Sequence, residues 1–234
     1  MKQYRSTSGP FRDRPYYELK EIDRMCSEEL QAVDLYPKEP GPVRIERFIE
    51  KRFQVTPEYR DLEGRILGFT RFGPNGVQAV VISKGLVDSG TRGAERVVNS
   101  TLAHEAGHIL LHGHLFLLDG TSTLFDNEGE PSKIMCRDGE VTGADRGRAY
   151  DSRRWYEFQA NQAIGGLLLP RTLALRSIAD LVEQRGGLGV GVVPEAKRQE
   201  ATGRLAEVFD VNPVVARIRL DSLYPAAQAG QLTL

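Results

Sequence analysis

Apolar side chains recur at three- and four-residue spacing along much of the chain, which is the pattern of amphipathic helices. Segments rich in proline or glycine, such as 37–42 and 186–191, separate several of these stretches. The pattern predicts helices over residues 17–33, 43–53, 94–112, 152–169, 172–184, 195–209 and 212–224.

Two stretches between the second and third predicted helices have a different pattern. Residues 65–72 and 77–83 are rich in β-prone side chains and flank Gly73-Pro74-Asn75-Gly76, which predicts a β-hairpin. Residues 119–154 are polar and irregular, and we expect short strands near 121–125 and 132–137. A loop of this length within a compact domain is usually functional or partly disordered.

The order of these elements predicts an α+β fold, in which a small antiparallel β-meander packs against helix 94–112 and further helices. We expect a flexible basic arm over residues 1–16, a main domain over 17–190 that includes the N-terminal helices, and a C-terminal helical segment over 191–234. The apolar run of the last segment around residues 205–213, followed by another helix, is typical of a helix-turn-helix.

Composition excludes several classes of protein. With 40% hydrophobic and 27% charged residues in 234, the chain has the balance of a globular protein, and its net charge of −1 excludes a general basic field for nucleic acid or membranes. Two distant cysteines cannot make a disulfide framework. The start has no apolar signal-peptide core, and no apolar run approaches the ~20 residues of a membrane span. We therefore expect a cytoplasmic protein.

The four histidines of the chain all lie between residues 104 and 114, and the first two form the motif His104-Glu105-Ala106-Gly107-His108. On a helix, positions i and i+4 share a face, so both imidazoles can bind one metal ion. Imidazole suits zinc, and a catalytic zinc keeps three protein ligands and an open position for water. Glu105 is then placed to act on that water as a base. The alternative is a surface helix that carries two histidines by chance.

The third ligand must come from another element, where carboxylates and Cys136 are the available groups. Glu157 is the best candidate, because it interrupts a helix that becomes strongly apolar and would be costly to bury without a partner. Asn161, four residues later, shares its face and is a candidate hydrogen-bond partner for a ligand. The competing interpretation is an ordinary ion pair of Glu157 with Arg153 or Arg154.

Other side chains near the motif are candidates for the rim of the cleft. His112 lies one more helical turn beyond His108 and either borders the cleft or caps the end of the helix. Tyr156, Tyr150 and His112 are candidates to stabilise an oxyanion. We expect His114 to be an ordinary loop residue. Cys136 is either a redox-sensitive thiol, a zinc ligand or an inert cysteine.

The motif 104–108 with Leu110-Leu111-His112, followed by Glu157-Phe158-Gln159-Ala160-Asn161 and Leu168-Leu169-Pro170, resembles the ImmA/IrrE family of metallopeptidases. Residues 100–103 and the closing helices over 205–220 also resemble that family, and the likeness covers roughly residues 64–224. The stretch between His108 and Glu157 is longer than in compact members of that family, and we expect no sensory domain after the C-terminal helices.

This resemblance implies a minimal zincin-like peptidase. One Zn²⁺ per chain would be bound by His104, His108 and Glu157, with Glu105 as the catalytic base. The resemblance also implies a partner, a helix-turn-helix repressor, whose limited cleavage induces stress-response or mobile-element genes.

Two other functions remain open from the sequence. One is a zinc-binding regulator that sequesters a repressor without cutting it; the intact Glu105 argues for the peptidase. The other is DNA binding through residues 195–224. That segment carries five basic and five acidic residues, whereas a helix that binds in a DNA groove should be cationic. The basic residues of arm 1–16 are expected to be solvated.

Overall fold

The computed structural model of the chain describes residues 2–5, 13–73, 75–118, 133–137, 155–185 and 189–225. Its α-helices are α1 (Leu19–Ala32), α2 (Ile45–Phe53), α3 (Lys84–Asp88), α4 (Arg92–Leu118), α5 (Trp155–Leu168), α6 (Arg171–Ser177), α7 (Glu195–Val208) and α8 (Pro213–Leu223). Its strands are β1 (Lys2–Arg5), β2 (Asp13–Tyr16), β3 (Glu58–Arg60), β4 (Ile66–Gly73), β5 (Gly76–Ser83), β6 (Lys133–Arg137), β7 (Glu183–Arg185) and β8 (Val190–Val192). The predicted mixture of helices with a small sheet is confirmed.

The central sheet has the strand order β3-β5-β4-β6. β4 pairs with β5 and β6 in antiparallel fashion, and the predicted hairpin between β4 and β5 is confirmed. The prediction of a purely antiparallel meander is wrong, because β3 pairs with β5 in parallel. Since β4 is paired on both sides, the segment that precedes it can join the sheet only at an edge, and the free edge of β5 accepts it.

Helix α4 is longer than the predicted 94–112 at both ends. It begins after Thr91, whose Oγ1 accepts a hydrogen bond of 3.2 Å from the N–H of Ala94, as a helix N-cap does. The sheet packs closely on this helix at Gly68, where a Cβ atom would lie 2.8 Å from the Thr101 side chain. The helix that carries the histidines is therefore held against β4.

Helices α4 and α5 approach each other closely because small side chains line their contact. A Cβ atom on Gly107 would lie only 2.8 Å from Cβ of Ala163 and 3.1 Å from the carbonyl oxygen of Ala160. The glycine within the histidine motif and the alanines of α5 thus bring the two helix backbones together. This packing brings side chains from both helices to one place.

Two predicted elements differ from the structure. The helix predicted over 172–184 is wrong in its second half, since α6 ends at Ser177 and, after a short 3₁₀ turn at Ala179–Leu181, β7 pairs with β8. Gly189, with φ of 60°, allows the chain to turn between those strands. The segment expected to be a loose arm contains β1 and β2, which pair with each other.

The remaining predicted boundaries agree closely or lie outside the described residues. The expected strand at 132–137 is present as β6. Helix α5 is described from Trp155, and residues 152–154 of the predicted helix lie outside the described residues. The expected strand near 121–125 lies outside the described residues. In the described part of the chain, no helix combines the length and the apolar character needed to cross a membrane.

The C-terminal helices contribute to the same core as the histidine helix. Leu205, Ala216 and Leu220 belong to one buried cluster with Leu102 and Ala106. At the surface of this contact, the guanidinium of Arg96 on α4 lies 2.9 Å from both Glu207 and Asp210. The C-terminal segment is therefore packed onto the centre of the molecule.

Candidate metal centre

Three side chains from α4 and α5 converge on one point. Nε2 of His104 lies 2.9 Å from Nε2 of His108, and Oε2 of Glu157 lies 3.1 and 3.3 Å from these two nitrogens. The two histidines are fully buried, and Glu157 is 8% exposed. The three form a buried group that could bind a metal ion.

These distances suit zinc. With Zn–N and Zn–O bonds near 2.0–2.2 Å, ligand atoms at the corners of a tetrahedron lie roughly 3.3 Å apart, close to the separations observed here. Oε2 of Glu157 is buried and makes no well-formed hydrogen bond among the described residues. A buried carboxylate oxygen of this kind requires a positive partner, and a cation between the three atoms would supply it.

Asn161 supports the first histidine from behind. Its Oδ1 lies 3.1 Å from Nδ1 of His104, so that the imidazole donates through Nδ1 and presents an unprotonated Nε2 to Glu157 and His108. Metal-binding histidines commonly have such a partner on the other ring nitrogen. The predicted candidate Asn161 is thus placed as that role requires.

The ionisation of the group is suited to metal binding. Burial raises the pKa of the Glu157 carboxyl, but His108 and His104 lower it by more, so the net pKa lies well below the usual range. Burial lowers the pKa of His108 by more than the charge of Glu157 raises it. An ionised carboxylate and an imidazole whose protonation is disfavoured are the forms of these groups that bind a metal ion.

The carboxylate of Glu105, on α4, is held by a residue of the central sheet. The hydroxyl of Thr70, on β4, donates a hydrogen bond of 2.6 Å to Oε2 of Glu105, and both side chains are fully buried. Thr70 was not among the residues predicted from the sequence. Its only signal there is a hydroxyl within the apolar run of β4, which by itself is common in strands.

His112 is neither at the end of its helix nor exposed. α4 continues to Leu118, so the alternative that His112 caps the helix is wrong, and its side chain is fully buried. Its ring lies 5.2 Å from that of Trp155 and 6.2 Å from that of Tyr156. Burial, with a smaller contribution from His108, lowers the pKa of His112 well below its ordinary value.

The other predicted residues are placed as follows. The ring of Tyr156 lies 5.8 Å from that of His108, beside the centre. His114 is exposed on α4 rather than in a loop. Cys136 lies on β6 opposite Gly68. Tyr150, Arg153 and Arg154 lie outside the described residues.

Comparison with known proteins adds no family to these observations. No protein-family model matches the chain, and no curated protein matches it.

Proposed function

We propose that this protein is a zinc-dependent endopeptidase in which His104, His108 and Glu157 hold the metal ion and Glu105 acts as general base. The observation that best supports this proposal is the convergence of three buried ligand atoms, together with a buried Glu105 carboxylate that is held by Thr70. Zinc, when bound, supplies a Lewis acid that activates water near neutral pH and polarises a carbonyl group.

The chain's own residues would carry the proton transfers. The carboxylate of Glu105 accepts a proton from the attacking water and passes it to the nitrogen of the departing amine. The Thr70 hydroxyl, 2.6 Å from Oε2 of Glu105, fixes the orientation of that carboxylate. Because these groups are buried, their charges act in a medium of low dielectric constant, where they have a larger effect than in water.

The proposed substrate is a helix-turn-helix repressor, and the proposed reaction is a limited, specific cleavage that induces stress-response or mobile-element genes. This part of the proposal rests on the resemblance to the ImmA/IrrE metallopeptidases in residues 104–112 and 157–170. A repressor substrate implies that the protein acts in the cytoplasm.

A second candidate is a zinc-binding regulator that sequesters a repressor without cutting it. The observation that favours this candidate is the burial of the centre, since His104, Glu105 and His108 are all fully buried. A metal that only stabilises a binding surface needs no substrate access. It also needs no base, however, and the Thr70 contact to Glu105 is then without a role.

DNA binding through the C-terminal helices has less support. Of the five cations between residues 195 and 224, four contact carboxylates within the chain: Lys197 with Glu183, Arg198 with Asp221, Arg204 with Asp180 and Glu200, and Arg219 with Asp23. Arg219 on α8 is also buried. A helix that contacts phosphates would leave such side chains outside.

The test combines metal analysis with cleavage. The purified full chain, loaded with Zn²⁺, is incubated with candidate repressors, first those encoded beside its own gene, as wild type and as Glu105→Gln. We expect stoichiometric zinc in both proteins and cleavage that is about 10²- to 10⁴-fold slower in the variant, the usual contribution of general acid–base catalysis. Glu95→Gln, an exposed change on the same helix, is the matched control and should cleave normally.

The outcomes separate the candidates. Equal cleavage by wild type and Glu105→Gln would contradict the assigned base. Zinc-dependent repressor binding without cleavage by either protein would favour sequestration, and salt-sensitive duplex binding would favour the DNA-binding alternative.

A further inference from the structure

A series of polar contacts leads away from His108 toward the N-terminal strands. Nδ1 of His108 lies 3.3 Å from Nδ1 of His112, and Nε2 of His112 lies 3.4 Å from Oε1 of Gln159 on α5. The amide nitrogen of Gln159 donates a 3.0 Å hydrogen bond to the carbonyl oxygen of Pro15 at the end of β2. His108, His112 and Gln159 are all 1% exposed or less.

The contact between Gln159 and Pro15 determines which atom donates the hydrogen bond in each of the other contacts. A backbone carbonyl only accepts hydrogen bonds, so Pro15 requires the NH₂ end of the Gln159 amide to face it. The oxygen of that amide therefore faces His112 and accepts from Nε2–H. A neutral imidazole carries one N–H, so Nδ1 of His112 is then an acceptor.

The same reasoning extends from His112 to His108, one of the proposed metal ligands. Because Nδ1 of His112 accepts, Nδ1 of His108 must be the donor at the 3.3 Å contact. The lone pair of His108 is then on Nε2, the atom that lies 3.3 Å from Glu157 and 2.9 Å from His104. Asn161 places the lone pair of His104 in the same way, so both imidazoles present Nε2 to a common point.

We propose that His112 and Gln159 are positioning residues, which use the Pro15 carbonyl to fix His108 in the Nδ1–H tautomer with Nε2 available to bind the metal ion. The inference rests on the metal site of the proposed function, but it does not depend on peptidase activity. We call these linked hydrogen bonds, from His108 through His112 and Gln159 to the Pro15 carbonyl, the relay. The N-terminal strand β2 also has a role in it, because it supplies the carbonyl oxygen that accepts the last hydrogen bond.

The competing explanation is that His112 merely fills space. The rings of Trp155 and Tyr156 pack against it and would hold an aromatic ring in place without any hydrogen bond. Packing alone sets no tautomer, whereas the relay requires Nε2–H on His112 and Nδ1–H on His108. The two explanations therefore differ in where the protons are.

The first test reads those protons directly. Long-range ¹H–¹⁵N correlation spectra of the full chain, labelled on its four histidines, distinguish protonated from unprotonated ring nitrogens. Single His→Gln variants at 112 and 114 assign the signals. We expect Nε2–H on His112 in both metal-free and Zn²⁺-loaded protein, and Nδ1–H on His108. Nδ1–H on His112, or protons on both of its nitrogens in either form, would overturn the proposal.

The second test removes the side-chain amide of Gln159, which links the Pro15 carbonyl to His112. In Gln159→Leu the affinity for Zn²⁺, measured by competition with a chromophoric chelator, should fall about 10- to 100-fold, as is typical when the partner of a metal-binding histidine is lost. Gln162→Leu, a half-buried change three residues further along α5, should leave the affinity unchanged. With Co²⁺ in place of zinc, only Gln159→Leu should alter the visible absorption spectrum.

The outcomes remain distinct from those for the proposed function. A folded Gln159→Leu protein that binds Zn²⁺ as tightly as wild type would overturn the relay and leave the peptidase proposal intact. If wild type binds no zinc, the proposed function fails, and the tautomers of the metal-free protein still decide whether the relay exists. If Gln159→Leu does not fold, the wild-type spectra decide.

Discussion

Two buried groups of charged or ionisable side chains differ in how the charge of a buried acid is balanced. In one, Glu157 of α5 faces two imidazoles of α4. In the other, Asp23 of α1 lies 2.7 Å from the guanidinium of Arg219 on α8, with Asp23 4% and Arg219 2% exposed. Both contain an acid whose burial without a partner would be costly.

The two groups differ in where the positive charge comes from. Asp23 is neutralised within the chain, and Arg219 also donates a 3.1 Å hydrogen bond to the carbonyl oxygen of Leu169. Beside this pair, burial and the charge of Asp23 raise the pKa of the Cys26 thiol to about 12, which disfavours its thiolate form. Glu157 has no such cation among the described residues within its group. A buried acid that faces two imidazoles indicates a site for a metal ion, whereas a buried acid paired with an arginine indicates a structural contact.

The largest effect is expected when the acid of the first group, Glu157, is removed. Glu157→Gln should abolish stoichiometric Zn²⁺ binding, because it removes one of the three ligands together with its negative charge. The loss of Zn²⁺ affinity should exceed the roughly 100-fold that is typical when a hydrogen-bond partner of a ligand is lost. Isothermal titration with Zn²⁺ measures it. Glu183→Gln, an exposed change, serves as the control. Full zinc binding by folded Glu157→Gln would remove Glu157 from the ligand set.

The corresponding change in the second group should affect stability rather than metal binding. Asp23→Ala leaves Arg219 buried without its partner, and breaking a buried ion pair in this way typically costs about 3–5 kcal/mol. Urea unfolding of the metal-free protein measures the loss. The double variant Asp23→Leu with Arg219→Met should recover most of it, since a well-packed apolar pair is often neutral. No recovery would mean that the pair does more than neutralise itself.

This contrast also explains how much of the centre was predictable. His104 and His108, with Glu105 between them, follow from spacing on one helix. Glu157 stands out because it is an acid in a helix that becomes strongly apolar, and Asn161 follows from its spacing to Glu157. Asp23 and Arg219 gave no comparable signal. Each occupies an ordinary position in an amphipathic helix, and only the tertiary fold brings the two side chains together.

The missed residues share one property, which is that their partners are distant in the sequence. Thr70 on β4 contacts Glu105 on α4, and Gln159 on α5 contacts the Pro15 carbonyl near the start of the chain. The errors in the fold have the same origin. The parallel pairing of β3 and the β7–β8 hairpin depend on which backbone edge is free, and local periodicity carries no information about that.

Glycines at both groups allow a sharper comparison of packing. A Cβ atom on Gly107 would lie 2.8 Å from Cβ of Ala163, and one on Gly166 would lie 2.8 Å from Sγ of Cys26. Each substitution to alanine should destabilise the protein by about 1–3 kcal/mol through overpacking. Only Gly107→Ala should also weaken Zn²⁺ binding, because it separates the helices that carry the ligands.

Gly203→Ala is the matched control for these two variants. Its added Cβ meets no atom within 4 Å, and the position is an exposed one in α7, so the change should stabilise the protein by about 0.4–1 kcal/mol. Urea unfolding and Zn²⁺ titration of all three variants make the comparison. Equal loss of zinc affinity in Gly107→Ala and Gly166→Ala would show that general destabilisation, rather than ligand geometry, controls binding.

The last expected effect is on the pH dependence of stability, and it should arise in the histidine group. Burial lowers the pKa values of His108 and His112, so below the ordinary histidine value near ~6.5 the unfolded chain binds protons that the folded chain does not. The free energy of unfolding of the metal-free protein should therefore fall as pH decreases from 7 through this range, by up to about 1.4 kcal/mol per pH unit for each histidine. His112→Asn removes one titrating group and should make this dependence shallower, whereas the Asp23→Leu/Arg219→Met variant should retain it. An unchanged slope in His112→Asn would mean that His112 takes up protons equally in the folded and unfolded proteins, which contradicts a pKa lowered by burial.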